Sequence, residues 1–132
     1  MTTLTNQIFE LSSPYANPYQ GSKPRHLFVC SAGLLRSPTA AKYSATYLGT
    51  NTRSCGTHNY ALVPLSANLI YWADKIYFME RINLIHAKQV FQEHEDLLEM
   101  LDTKGTILGI EDEYEYDQPE LLKILENKLW KL

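Results

Sequence analysis

At 132 residues with a net charge of −3, the chain is long enough to bury one core of its own, and it lacks the basic surplus of a general nucleic-acid or anionic-membrane binder. A hydrophobic fraction of 45% is that of a soluble globular domain, and no uncharged apolar run is long enough to span a bilayer. The only cysteines, Cys30 and Cys55, do not suggest a disulfide framework, which makes a reducing cytoplasm the expected compartment, and His26, His58, His86 and His94 lack metal-ligand spacing.

Residues 1–25 hold Pro14, Pro18 and Pro24 among Ser, Asn and Thr, with little periodicity and no basic region followed by an apolar stretch. They read as an arm preceding a single domain, 26–132. From His26 the pattern changes: LFV suits a short buried strand and leads into SAGLLRS. Ser37 is expected as the N-cap of the next helix, with Pro38 in its first turn, and that helix should stop near Gly49. TRSCGT (52–57) reads as a second strand, SANLIYWA (66–73) as a helix and KIYFM (75–79) as a third strand. Ile82, Ile85, Val90, Leu97, Leu98 and Leu101 recur at helical spacing and predict one helix over 82–101. TILGI (106–110) predicts the fourth strand, and QPELLKILENKLWKL a closing helix. Short apolar strands alternating with helices predict an α/β fold: a single three-layer domain with a four-stranded parallel sheet and helices on both faces. Ligands of such sheets bind outside the carboxyl ends of the strands, where Cys30 falls.

The segment Cys30, Ser31, Ala32, Gly33, Leu34, Leu35, Arg36, Ser37 has the makings of an anion trap. Between a strand and a helix N-terminus, successive backbone N–H groups can point inward around a phosphate. Ala32 and Gly33 keep the loop slim, and the planar fork of Arg36 can hold two phosphate oxygens. A cysteine at the floor of such a trap is in a setting that favours thiolate; comparable cysteines fall from about 8.5 to roughly 3.5–7.5. The Ser37 hydroxyl can add a hydrogen bond to the sulfur.

LFVCSAGLLRSPTA (27–40) resembles the active-site loop of the low-molecular-weight protein tyrosine phosphatases, with its V-C-x5-R-S-P pattern. SCGTH (54–58) is similar to that family's S-A-G-T segment, WADKIYFMER (72–81) to its buried strand with flanking Asp and Met, and DEYEY with QPELL to a compact phosphatase-like subgroup. The likeness spans roughly residues 26–120. It implies that Cys30 is the nucleophile, Arg36 the phosphate clamp and Ser37 the hydroxyl that steadies the thiolate. Two departures stand out. The family's loop carries a bracing Gly-Asn where this chain has Ala32 and Gly33, and many members place a redox-partner cysteine where this chain has Leu35.

A leaving alkoxide or phenoxide needs a proton donor, which the family supplies as an Asp on a late loop before aromatic residues. Glu111, Asp112, Glu113, Glu115 and Asp117 compete for that role here. Asp117 reads as the N-cap of the helix D-Q-P-E, with Glu120 at the capping-box position, which would hold it ionised. Asp112 lies two residues past TILGI and is the assigned acid, with Tyr114 and Tyr116 as an aromatic wall for a substrate ring. Cys55 reads as a buried small residue. The expected function is hydrolysis of a phosphorylated protein or small phosphomonoester through a phosphocysteine, with no cofactor and no metal. Two alternatives are a phosphate-binding module with little turnover and an arsenate reductase, for which Cys55 is the only relay candidate.

Overall fold

Four stretches become strands and five helices pack against them among the residues that the computed structural model describes, namely 23–31, 36–48, 50–58, 61, 63–110 and 118–129, with backbone alone for 36–38. In chain order these are β1 (Arg25–Cys30), α1 (Arg36–Tyr47), β2 (Asn51–Gly56), α2 (Ala67–Trp72), β3 (Lys75–Phe78), α3 (Arg81–Val90), α4 (Glu95–Lys104), β4 (Gly105–Ile107) and α5 (Pro119–Leu129). The strands form one parallel sheet in the order β2-β1-β3-β4, with Val29 opposite Cys55 and Phe78.

Strand periodicity sorts the core into two layers. Leu27, Val29, Ile76 and Phe78 face one way and pack against Leu69 and Ile70 of α2, Ala87 of α3, and Leu97 and Leu101 of α4. Phe28, Cys30, Tyr77 and Met79 face the other way, onto Ala40 and Ala41 of α1 and Leu121, Leu125 and Leu129 of α5. The sheet is therefore covered on both faces, as the alternating pattern predicts. Polar side chains fix the registration of the layers. The Ser44 and Thr50 hydroxyls share a 2.6 Å hydrogen bond, and the Thr52 hydroxyl donates to the Ala41 carbonyl at 2.9 Å, tying α1 to β2. Arg25 N–H donates to the Asp74 carboxylate at 2.9 Å and Asp74 N–H returns to the Arg25 carbonyl at 2.8 Å, which aligns the starts of β1 and β3.

Several element boundaries differ from the sequence expectation. The helix expected over 82–101 is two helices, α3 and α4, separated at Phe91–His94. Phe91 leaves helical geometry at φ −109°, ψ 25°. One helix from Arg81 to Lys104 would run about 36 Å, whereas the strands it must reconnect span at most about 20 Å; the crossover from β3 to β4 has to fold back on itself. The buried face also differs. Asn83 and Ala87 are fully buried, while Ile82, Ile85 and Val90, expected to face the core, are 43%, 43% and 59% exposed. Arg36 is already helical, so α1 starts before Ser37 rather than being capped by it; Pro38 still lies in the first turn, where its missing N–H costs nothing. The fourth strand ends at Ile107 because Gly109 takes a left-handed conformation (φ 71°). Even so, Leu108 N–H reaches the Phe78 carbonyl and Ile110 N–H the Met79 carbonyl, at 2.8 and 2.7 Å.

Candidate active site

Strand β1 lies between β2 and β3, and the chain goes to one side of it through α1 and to the other through α2. Its carboxyl end is thus the topological switch point, the place where α/β sheets open a crevice for ligands. Cys30 is the last residue of β1, only 3% exposed, on the sheet face that carries α1. Arg36 and Ser37 are the first two residues of α1. The strand end, the thiol and the helix start thus lie on one edge of one layer.

The exit from β1 is held by its neighbours. Thr57 N–H donates to the Cys30 carbonyl and His58 N–H to the Ser31 carbonyl, both at 3.0 Å. From α3 the Asn83 amide Nδ2 donates to Ser31 Oγ at 3.1 Å, and Asn83 Oδ1 accepts from Glu80 N–H at 3.0 Å. Sequence reading missed Asn83. An amide three residues after Glu80 is visible as a helix-start signal, but a bond across 52 residues of sequence is not. Beside Ser31 the His58 and His86 rings meet edge to face, 5.5 Å between centroids. They line a shallow cavity of about 370 Å³ together with Thr57, Gln89 and Val90.

Cys55 is fully buried, and burial first, then the proximity of Cys30, pushes its thiol well above the usual range. It pairs with Val29 and shares that residue's face, whereas Cys30 belongs to the opposite face. Side chains on opposite faces of a sheet point apart and cannot be bridged without moving the backbone.

At the same edge, Met79 N–H bonds to the Val29 carbonyl, and Ile110 N–H to that of Met79. Ile110 belongs to the core layer of Cys30. Asp112, Tyr114 and Tyr116, together with Glu111, Glu113, Glu115 and Asp117, lie outside the described residues, as do Ala32, Gly33, Leu34 and Leu35. The cap expected at Asp117 is displaced. Helix α5 begins at Pro119, and the Gln118 carbonyl accepts the first helical bond from Leu122 N–H at 3.1 Å. Proline at the first helical position makes Gln118 the cap residue and puts Glu120 at the second position, one short of a capping box. No helix among the described residues is long and apolar enough to cross a membrane.

No protein-family model and no curated protein matches the chain. Its fold does match solved structures. Wzb from Vibrio vulnificus, in complex with benzylphosphonate, is 17% identical with a TM-score of 0.64, covering 83% of this chain and 97% of that one. The tyrosine phosphatase AmsI of Erwinia amylovora is 20% identical with a TM-score of 0.57, covering 86% and 93%. An arginine phosphatase, YwlE, in a Cys-to-Ser variant with a phosphorylated active-site serine, is 22% identical with a TM-score of 0.55, covering 81% and 93%. The α/β fold of this chain is the one that low-molecular-weight protein tyrosine phosphatases use.

Proposed function

We propose that the chain is a phosphomonoester hydrolase of the low-molecular-weight tyrosine phosphatase type, with Cys30 as nucleophile. The observation that carries this reading is the position of Cys30: the buried last residue of the central strand, at the switch point, followed six residues later by the arginine that opens α1 on the same face. Solved neighbours of this fold bind benzylphosphonate, or carry a phosphate on a serine that replaces the active-site cysteine, which supports both a phosphate site and a covalent intermediate.

In the reaction the Cys30 thiolate attacks phosphorus in line. An S–P bond forms as the P–O bond to the leaving group breaks, and Asp112 gives its proton to the departing oxygen. The N–H groups of residues 31–36 and the Arg36 guanidinium stabilise the equatorial oxygens. Water then attacks the phosphocysteine, Asp112 takes a proton from it, the S–P bond breaks, and phosphate leaves with the thiolate restored. Asp112 follows two residues after Ile110, which lies at this edge. Ile110 is anchored there through Met79, and two residues extend the chain by at most about 7 Å. Tyr114 and Tyr116 supply an aromatic wall for a phenyl ring, which favours aryl substrates such as phosphotyrosine. The arginine phosphatase among the neighbours adds phosphoarginine to the substrates to be tried. An arsenate-reductase cycle that relays a disulfide through Cys55 is disfavoured, because the two thiols lie on opposite faces of the sheet.

The test is a panel of aryl, alkyl and nucleotide phosphomonoesters and a phosphoarginine peptide. The wild type should turn over aryl phosphates best. Asp112→Asn should lower kcat by about 10²–10⁴-fold on poor leaving groups and much less on an activated aryl phosphate, while Asp117→Asn leaves catalysis nearly intact. A leaving-group-dependent loss in Asp117→Asn alone moves the acid to Asp117. No hydrolysis of any ester by the wild type, with phosphate still bound, makes the chain a binding module.

A further inference from the structure

An asparagine with no exposure to solvent in the first turn of a helix is an unfavourable choice unless both ends of its amide are used. Asn83 uses both. Its oxygen accepts the Glu80 N–H at 3.0 Å, a local bond at the start of α3 that an aspartate in its place would make equally well. Its nitrogen donates to Ser31 Oγ at 3.1 Å, a bond that ties the start of α3 to the residue after Cys30.

Ser31 is the residue immediately after Cys30. Its carbonyl and that of Cys30 are held from the β2 side by His58 and Thr57 N–H groups, and its hydroxyl is held from the α3 side by Asn83. The start of the loop is thus clamped between two elements that the sequence separates widely. The loop itself, with Ala32 and Gly33 after Ser31, contains no amide or carboxylate side chain of its own between Cys30 and Arg36.

We propose that Asn83 is a positioning residue for the Cys30 loop: through Ser31 it presets the exit from β1, and with it the thiol and the amides that follow, for an oxyanion. The proposal rests on the phosphatase reading of Cys30. A preset loop stabilises the transition state without reorganising, and small misplacements of such groups cost up to about 10²-fold in rate.

The test is a double-variant cycle on the Asn83–Ser31 bond. Asn83→Ala removes the amide, and with it both the bond to Ser31 and the acceptor for Glu80 N–H; Ser31→Ala removes only the bond to Asn83, without touching α3. Each should lower kcat/KM on an aryl phosphate by about 10- to 100-fold, mostly in kcat, and should weaken inhibition by vanadate, a mimic of the transition state. The double variant should be no worse than the poorer single one, because both remove the same bond. Ser31→Thr, which keeps a hydroxyl, should recover most of the loss of Ser31→Ala. Losses that multiply in the double variant, or singles with wild-type kcat/KM, overturn the role of Asn83 while the phosphatase reading stands. If Asn83→Ala does not fold, Ser31→Ala and Ser31→Thr decide by themselves: equal kcat/KM in these two variants overturns the proposal. A wild type with neither turnover nor vanadate binding overturns the phosphatase reading and this proposal with it.

Discussion

His26 shows how a single side chain couples this fold to pH. Its imidazole lies edge-on to Phe28 and Tyr77, with centroids 6.3 and 5.1 Å away, and its Nδ1 is buried with no hydrogen-bond partner among the described residues. Burial first, then the Lys75 ammonium, hold its pKa down to about 4, against a partial offset from Asp74. The unfolded chain takes up the proton near the ordinary value of 6.5, so between about 6.5 and 4 the unfolded state binds more protons than the folded one. Stability is therefore retained above this window and declines as the pH falls through it. With solvent screening at the partly exposed ring edge, the loss amounts to about 1–2 kcal/mol. The Asp74 carboxylate, held low mainly by the Arg25 N–H, adds an acid loss only at lower pH. Urea unfolding at several pH values checks this: His26→Phe should flatten the decline between pH 6.5 and 4, whereas parallel curves for the two proteins would contradict the assignment. Only that His26 lacks metal-ligand spacing was legible in the sequence. Its missing partner was not, because that depends on what β3 lays beside it.

Elements were most legible where one local signal dominated. SANLIYWA (66–73) reads as a helix, and one forms over Ala67–Trp72 with Ser66 as its cap, the Ser66 Oγ accepting the Leu69 N–H at 3.3 Å. The short apolar runs LFV and KIYFM gave strands whose alternate residues fall into two core layers. The same reasoning failed over 82–101, where apolar spacing alone ignored the distance the crossover must cover, and at QPELL, where proline set the helix start one residue later than an Asp117 cap requires. Gly105 illustrates a constraint hidden from sequence. Its φ of −82° is open to any residue, yet a Cβ there would collide with the Leu101 carbonyl and sit 3.1 Å from Phe78 Cε2. Glycine is required because α4 runs directly into β4 with no connecting loop. Gly105→Ala should cost about 1–3 kcal/mol, the usual range for overpacking, seen as a lower urea midpoint with no change in m. A midpoint equal to that of the wild type would show that α4 yields without strain.

For the whole molecule, the consequence of the fold is that one strand end gathers the chemistry. The order β2-β1-β3-β4 makes β1 central, puts Cys30 at the switch point on the α1 face, and leaves Cys55 on the far face of the sheet. The C-x5-R spacing, the strand before it and the helix after it were all readable from residues 26–43. The support from α3 was not, because it comes from Asn83, 52 positions away from Ser31. What this arrangement is for reduces to one covalent bond. The most direct measurement is to mix the protein with an aryl phosphate, quench in acid within the first turnovers, and map phosphate on the peptides by mass spectrometry. The account predicts a phosphoryl group on Cys30 during turnover, absent from Cys55 and absent altogether in Cys30→Ala, which should also lose hydrolysis. Hydrolysis that persists in Cys30→Ala, with no phosphate trapped on the wild-type protein, would contradict it.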